Sequence, residues 1–118
     1  MNKGKQYKII AKHDGRRGDV SENEQFLVFL NYLFEQSICN VRIDEYYNFM
    51  LDVIISKSGL KNIYVYYTEE VENIDVVNAY IYEVCGLEEL KELLCDKSPT
   101  LDENEIEEKI KAIKILYG

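Results

Sequence analysis

Hydrophobic and polar positions recur along this chain with two periods, and the points where one gives way to the other mark out the expected elements. Residues 6–12 (Gln, Tyr, Lys, Ile, Ile, Ala, Lys) read as a first strand, and Gly15 and Gly18 supply the loop after it. Ser21 and Glu24 have the spacing of a capping box, and Phe26, Leu27, Leu30, Leu33, Phe34 and Ile38 then recur at helical spacing. Val28, Phe29 and Tyr32 widen that stripe, so this helix is expected to pack on a sheet, with cover from behind as a further expectation.

Residues 47–56 fit a helix or a strand, because a short apolar run does not separate the two by periodicity alone. The strand is preferred: Phe49, Leu51, Val53 and Ile55 share one face, Asn48, Met50, Asp52, Ile54 and Ser56 the other. The helical rival takes Asp44 as its cap and Gly59 as its terminator. The alternating runs at 63–67 and 76–82, joined by a polar turn at 69–75, predict an antiparallel meander. Leu87, Leu90, Leu93 and Leu94 predict a short amphipathic helix that Ser98 and Pro99 end. Thr100 and Glu103 have capping-box spacing ahead of Ile106, Ile110, Ile113 and Tyr117, the stripe of a last helix. The expected order is β-α-β-β-β-α-α: an α+β fold in which a mainly antiparallel sheet packs against helices.

At 118 residues the chain is expected to form a single domain over 1–118. No apolar run exceeds five residues, as at 26–30, whereas a membrane span needs about 20. Cys39, Cys85 and Cys95 are odd in number and lack C-x-x-C spacing, which fits reduced thiols and a cytoplasmic protein. Ile, Asn, Lys and Tyr supply 43 residues, a skew expected of an AT-rich bacterial, phage or mobile gene.

Charge changes this picture. Asp and Glu number 22 against 14 Lys and Arg, a net −8, which disfavours direct nucleic-acid binding and an anionic membrane surface. The charge is unevenly placed: 1–18 carry +5, 19–68 carry −4, 69–96 carry −8 and 97–118 carry −1. In the last helix the acids come first and the lysines later, matching the macrodipole, with Glu105–Lys109 and Glu107–Lys111 as i,i+4 pairs. Residues 69–96 hold nine acids against Lys91 alone, and no such balance explains them.

His13, the one histidine, lies beside Asp14, Arg16 and Arg17, residue types suited to a general base with an anion clamp. Gly15 to Gly18 is too short for a phosphate loop, and the Arg17-Gly18-Asp19 tripeptide recurs too readily by chance to carry an assignment. Neither the paired ligand spacings of a zinc site nor a calcium loop is present, so no metal, cofactor or catalytic residue is assigned. Tyr64 and Tyr66 on one strand and Tyr80 and Tyr82 on the next are expected to share one sheet face. With Glu69, Glu70, Glu72, Asp75 and Glu83 they make a composition suited to capturing a basic protein, since rings supply contact area and carboxylates steer.

The reading preferred on these grounds is a non-enzymatic acidic inhibitor of a basic nuclease or toxin domain, of toxin-immunity type, with phage antidefence next. The alternatives are a ligand-binding regulator or enzyme using residues 13–17 on an anion, and a module that pairs with its own copy as a homodimer.

Overall fold

A computed structural model of the chain describes residues 5–12, 24–47, 49–70 and 76–118; at 5–12, 70 and 76 it describes the backbone alone. The elements are β1 (Lys5–Lys12), α1 (Glu24–Glu35), β2 (Ser37–Tyr46), β3 (Phe49–Ser56), β4 (Ile63–Glu70), β5 (Val76–Val84), α2 (Leu87–Lys97) and α3 (Glu103–Tyr117). The α+β class with an antiparallel sheet against helices is therefore the fold, with one more strand than expected.

That extra strand is β2. The helical stripe was expected to run on through Ile38, but α1 stops at Glu35 and Ile38 is an exposed residue of β2. The Ser37 hydroxyl donates to the Phe34 carbonyl at 2.7 Å, and the Lys57 amide donates to the Gln36 carbonyl at 2.9 Å. The carbonyls at the helix end thus gain partners outside the helix, and the chain turns directly into an extended run. Within that run Ile43 is buried and Val41 half-buried, whereas Asn40 and Arg42 are exposed, the period-2 trace of a strand.

The strands lie in the order β1-β5-β4-β3-β2, every pair antiparallel. β2 to β5 form a meander, so β1 and β2 occupy opposite edges, with α1 between them in sequence among the described residues. Five strands place those edge axes about 19 Å apart, and the 12 residues of α1 span about 18 Å. The helix is thus nearly as long as the sheet is wide, and its core contacts fall on the three central strands. Phe26, Leu30 and Leu33 pack on Ile54 of β3, Tyr66 of β4, and Ala79 and Ile81 of β5. Among the described residues no element covers its outer side, where Val28 is 67% and Tyr32 55% exposed. The capping-box residue Ser21 lies outside the described residues.

The opposite face is covered by α2 and α3. Leu90, Leu93 and Leu94 of α2 and Ile106 and Ile113 of α3 pack on Leu51, Val53 and Ile55 of β3, Ile63 and Val65 of β4, and Val84 of β5. With both faces buried, β3 needs apolar side chains at nearly every position, which is why Phe49–Ser56 reads as an almost unbroken apolar run. The strand reading of this segment holds, and Asp44 lies in β2 as no helix cap.

Asp44 instead anchors the loop between α2 and α3. Buried on β2, its carboxylate accepts from the Ser98 hydroxyl, the Thr100 hydroxyl and, at 3.3 Å, the Thr100 amide. This corrects the second expected cap. Thr100 is engaged by Asp44, and the capping box of α3 is Asp102 with Glu105, whose amide donates to Asp102 Oδ1 at 2.9 Å. A buried carboxylate with several donors outweighs one exposed cap bond, so the loop geometry follows Asp44 and the helix starts later.

Candidate functional site

The register of β4 against β5 decides how the tyrosines are arranged. Tyr64 pairs with Glu83, Val65 with Tyr82, Tyr66 with Ile81, and Tyr67 with Tyr80. Residues directly opposite share a face, so Tyr64 and Tyr66 point with Glu83 toward α1, whereas Tyr80 and Tyr82 point with Tyr67 and Glu69 toward α2 and α3. The expected single tyrosine face is therefore split across the sheet. Tyr66 and Tyr82, each 6% exposed, belong to the two cores and offer no contact surface.

The remaining members are engaged locally. The Tyr64 hydroxyl donates to Glu83 Oε1 at 3.2 Å and accepts from Asn62 Nδ2 at 3.3 Å. On the other face the Tyr67 hydroxyl donates to Glu69 Oε2 at 2.9 Å. Burial first, and then the bond to and charge of Glu69, push the Tyr67 phenol well above its ordinary pKa of 10.0. Tyr67 also meets Phe49 and Tyr80 edge-on, with ring centroids 5.1 and 5.2 Å away, and Tyr80 stacks on Tyr82 at 6.0 Å. This aromatic row runs from β3 across β4 to β5, and the Lys97 ammonium at the end of α2 lies 5.8 Å from the Tyr82 ring centroid. The Glu70 side chain, Glu72 and Asp75 lie outside the described residues, as do His13, Arg16 and Arg17.

The acidic segment becomes a site on α2. Leu90, Leu93 and Leu94 turn inward, which leaves Glu88, Glu92, Cys95 and Asp96 exposed along the outer side. Glu88, Glu92 and Asp96 stand four residues apart, a row of carboxylates about 6 Å from one to the next. These three were not among the expected contact residues, although their i,i+4,i+8 spacing was readable once 87–94 was taken as a helix. Glu89 is occupied differently, its carboxylate accepting the Cys85 amide at 2.7 Å just ahead of the positive-φ Gly86 that starts the helix. Glu88 and Glu89 suit the positive end of the helix dipole and Glu92 stands at mid-helix, but Asp96 lies in the last turn, where a carboxylate costs stability.

Between α2 and α3 runs a groove of about 980 Å³. Its apolar lining comes from Leu87, Leu101 and Ile110, all half-buried, and Glu88, Glu92, Asp96 and Glu103 stand along it. Lys91 crosses from α2 to α3, donating to Glu107 and lying 3.6 Å from Glu103. That bond raises the Lys91 pKa and lowers that of Glu107. Glu107 thus faces Lys91 across the hairpin as well as Lys111 within α3. Cys95 also lines the groove; desolvation, followed by the charge of Glu103, raises its thiol pKa.

Among the described residues no three His, Cys, Asp or Glu side chains converge to hold a metal ion, and no helix is long and apolar enough to cross a membrane. No family model matches the chain, and neither curated proteins nor solved structures gave a match.

Proposed function

We propose that this protein is a non-enzymatic acidic inhibitor that docks on the basic surface of a nucleic-acid-acting effector, with toxin immunity as the preferred role. The observation that carries this reading is the row Glu88, Glu92 and Asp96 beside an apolar groove. Asp96 stands in the last turn of α2, where a helix disfavours a carboxylate, and that placement supports use by a partner rather than by the fold. An effector that binds a polyanion carries clustered lysine and arginine, and a fixed carboxylate array competes for them and speeds encounter. The apolar lining adds the desolvated contact that charge alone lacks.

The test is capture from the native host by the wild-type chain and by Glu88→Lys/Glu92→Lys/Asp96→Lys, followed by assay of the captured protein. The expected result is a basic protein whose nuclease activity falls on addition of the wild-type chain, with capture lost in the triple variant. Capture and inhibition that survive the charge reversal would remove this surface from the proposal.

A further inference from the structure

We infer that the segment of the partner seated on this surface is a cationic amphipathic α-helix, lying in the α2–α3 groove as a third helix of that layer; this rests on the acidic-inhibitor reading above. The groove is walled by two helices, so it offers no sheet edge and no row of unpaired backbone groups. An extended peptide laid there would leave its own N–H and C=O groups without partners, whereas a helix satisfies its backbone internally. The lining at Leu87, Leu101 and Ile110 calls for an aliphatic stripe on that helix. The acids fix its charge. Glu88, Glu92 and Asp96 repeat every fourth residue along α2, which matches lysine or arginine repeated every fourth residue on a helix lying alongside.

The groove is not uniformly acidic, and this sets where the occupant's cations belong. Lys91 spans the hairpin to Glu103 and Glu107, Lys114 also lines the groove, on α3, and Lys97 lies 3.6 Å from Asp96 at the end of the acid row, so Glu88 and Glu92 are its more open members. Basic side chains on the occupant therefore belong toward the α2 wall, and its neutral or acidic positions toward α3. This asymmetry orients the helix about its own axis, which a plain acidic patch would not do.

The test uses the full chain and two synthetic peptides of equal composition, each about 18 residues, or about five helical turns. One is stapled as a helix, with lysines at every fourth position flanking a leucine stripe. The other is a scrambled isomer with neither staple nor periodicity. With Cys39→Ser and Cys85→Ser, a nitroxide on Cys95 reports from inside the groove. The stapled peptide should bind at least about tenfold more tightly than the scramble and immobilise the nitroxide. Ile110→Glu should abolish its binding; Ile110→Ala, which keeps the helix, guards against loss of fold and should weaken it less. Equal binding of the two peptides, or binding without immobilisation, overturns the helix-in-groove inference while leaving electrostatic capture intact. Failure of both peptides and of polylysine to bind at low salt overturns the acidic-surface reading too.

Discussion

At the scale of single residues, three buried polar groups carry most of what distinguishes this molecule from a generic sheet with helices. Asp44 holds the α2–α3 loop through Ser98 and Thr100, so Asp44→Ala strands several donors and is expected to cost about 2–3 kcal/mol in chemical denaturation. Asp52 is buried on β3, and burial raises its pKa above the ordinary 3.8 against the opposing pull of Arg42. Its folded form therefore holds the proton longer than its unfolded form, so ionising Asp52 removes stability as pH rises from 3.8 through the folded value. Asp52→Asn should gain on wild type across that window in melting temperature, and a gap independent of pH would refute the assignment. Tyr67 should ionise well above the ordinary phenol pKa of 10.0 in an ultraviolet titration, and Glu69→Gln should lower its pKa by removing the acceptor and its charge. The tyrosines also mark where the sequence stopped being legible. Alternation states which residues of one strand share a face, but only the register of β4 against β5 says which face of the next strand they join. Because helices bury both sides here, no polar face was left to reveal that parity.

At the scale of elements, legibility followed the strength of the local signal. The segment at 49–56 was readable as a strand because its β-branched residues fit a pleat better than a helix, and the stripe Ile106, Ile110, Ile113 and Tyr117 was readable because nothing interrupts its spacing. β2 escaped because Ile38 continues the helical spacing of α1, and the bonds that mark the end of that helix, from Ser37 to the Phe34 carbonyl and from Lys57 to the Gln36 carbonyl, leave no periodic trace. Thr100 and Asp102 compete for the same capping role, and a partner 56 residues away in sequence decides between them. Asp102→Ala should accordingly lower stability by about 1 kcal/mol. Thr100→Val should act on the loop instead, speeding proteolysis between α2 and α3 while leaving α3 helicity in place. On α2 the spacing of the acid row was readable from the leucine stripe, but the groove beside it was not, since that depends on how α3 packs against α2.

For the whole molecule, the net charge of −8 is held in part by a row of carboxylates that Lys91 and Lys97 offset only partly, so self-repulsion should be relieved by salt. Raising sodium chloride toward about 0.15 M, where the Debye length is about 8 Å, should raise the melting temperature. The Glu88, Glu92 and Asp96 reversals should flatten that dependence, and a calorimetric series across salt concentrations distinguishes the two. Encounter with a basic partner should move the opposite way, its association rate falling as salt rises. The layout of the sheet has a separate consequence, in time rather than in charge. β2 to β5 zip together through neighbours in sequence, but β1 joins β5 through pairs running from Lys12 with Val76 to Lys5 with Glu83, 64 to 78 residues apart. Each doubling of a closed loop costs about 0.6 kcal/mol of chain entropy, so the meander should assemble first and receive its fifth strand last. Pulsed hydrogen exchange during refolding should then protect the amides of β3 and β4 before those of β1, making an edge of the finished sheet a record of the order in which it was built.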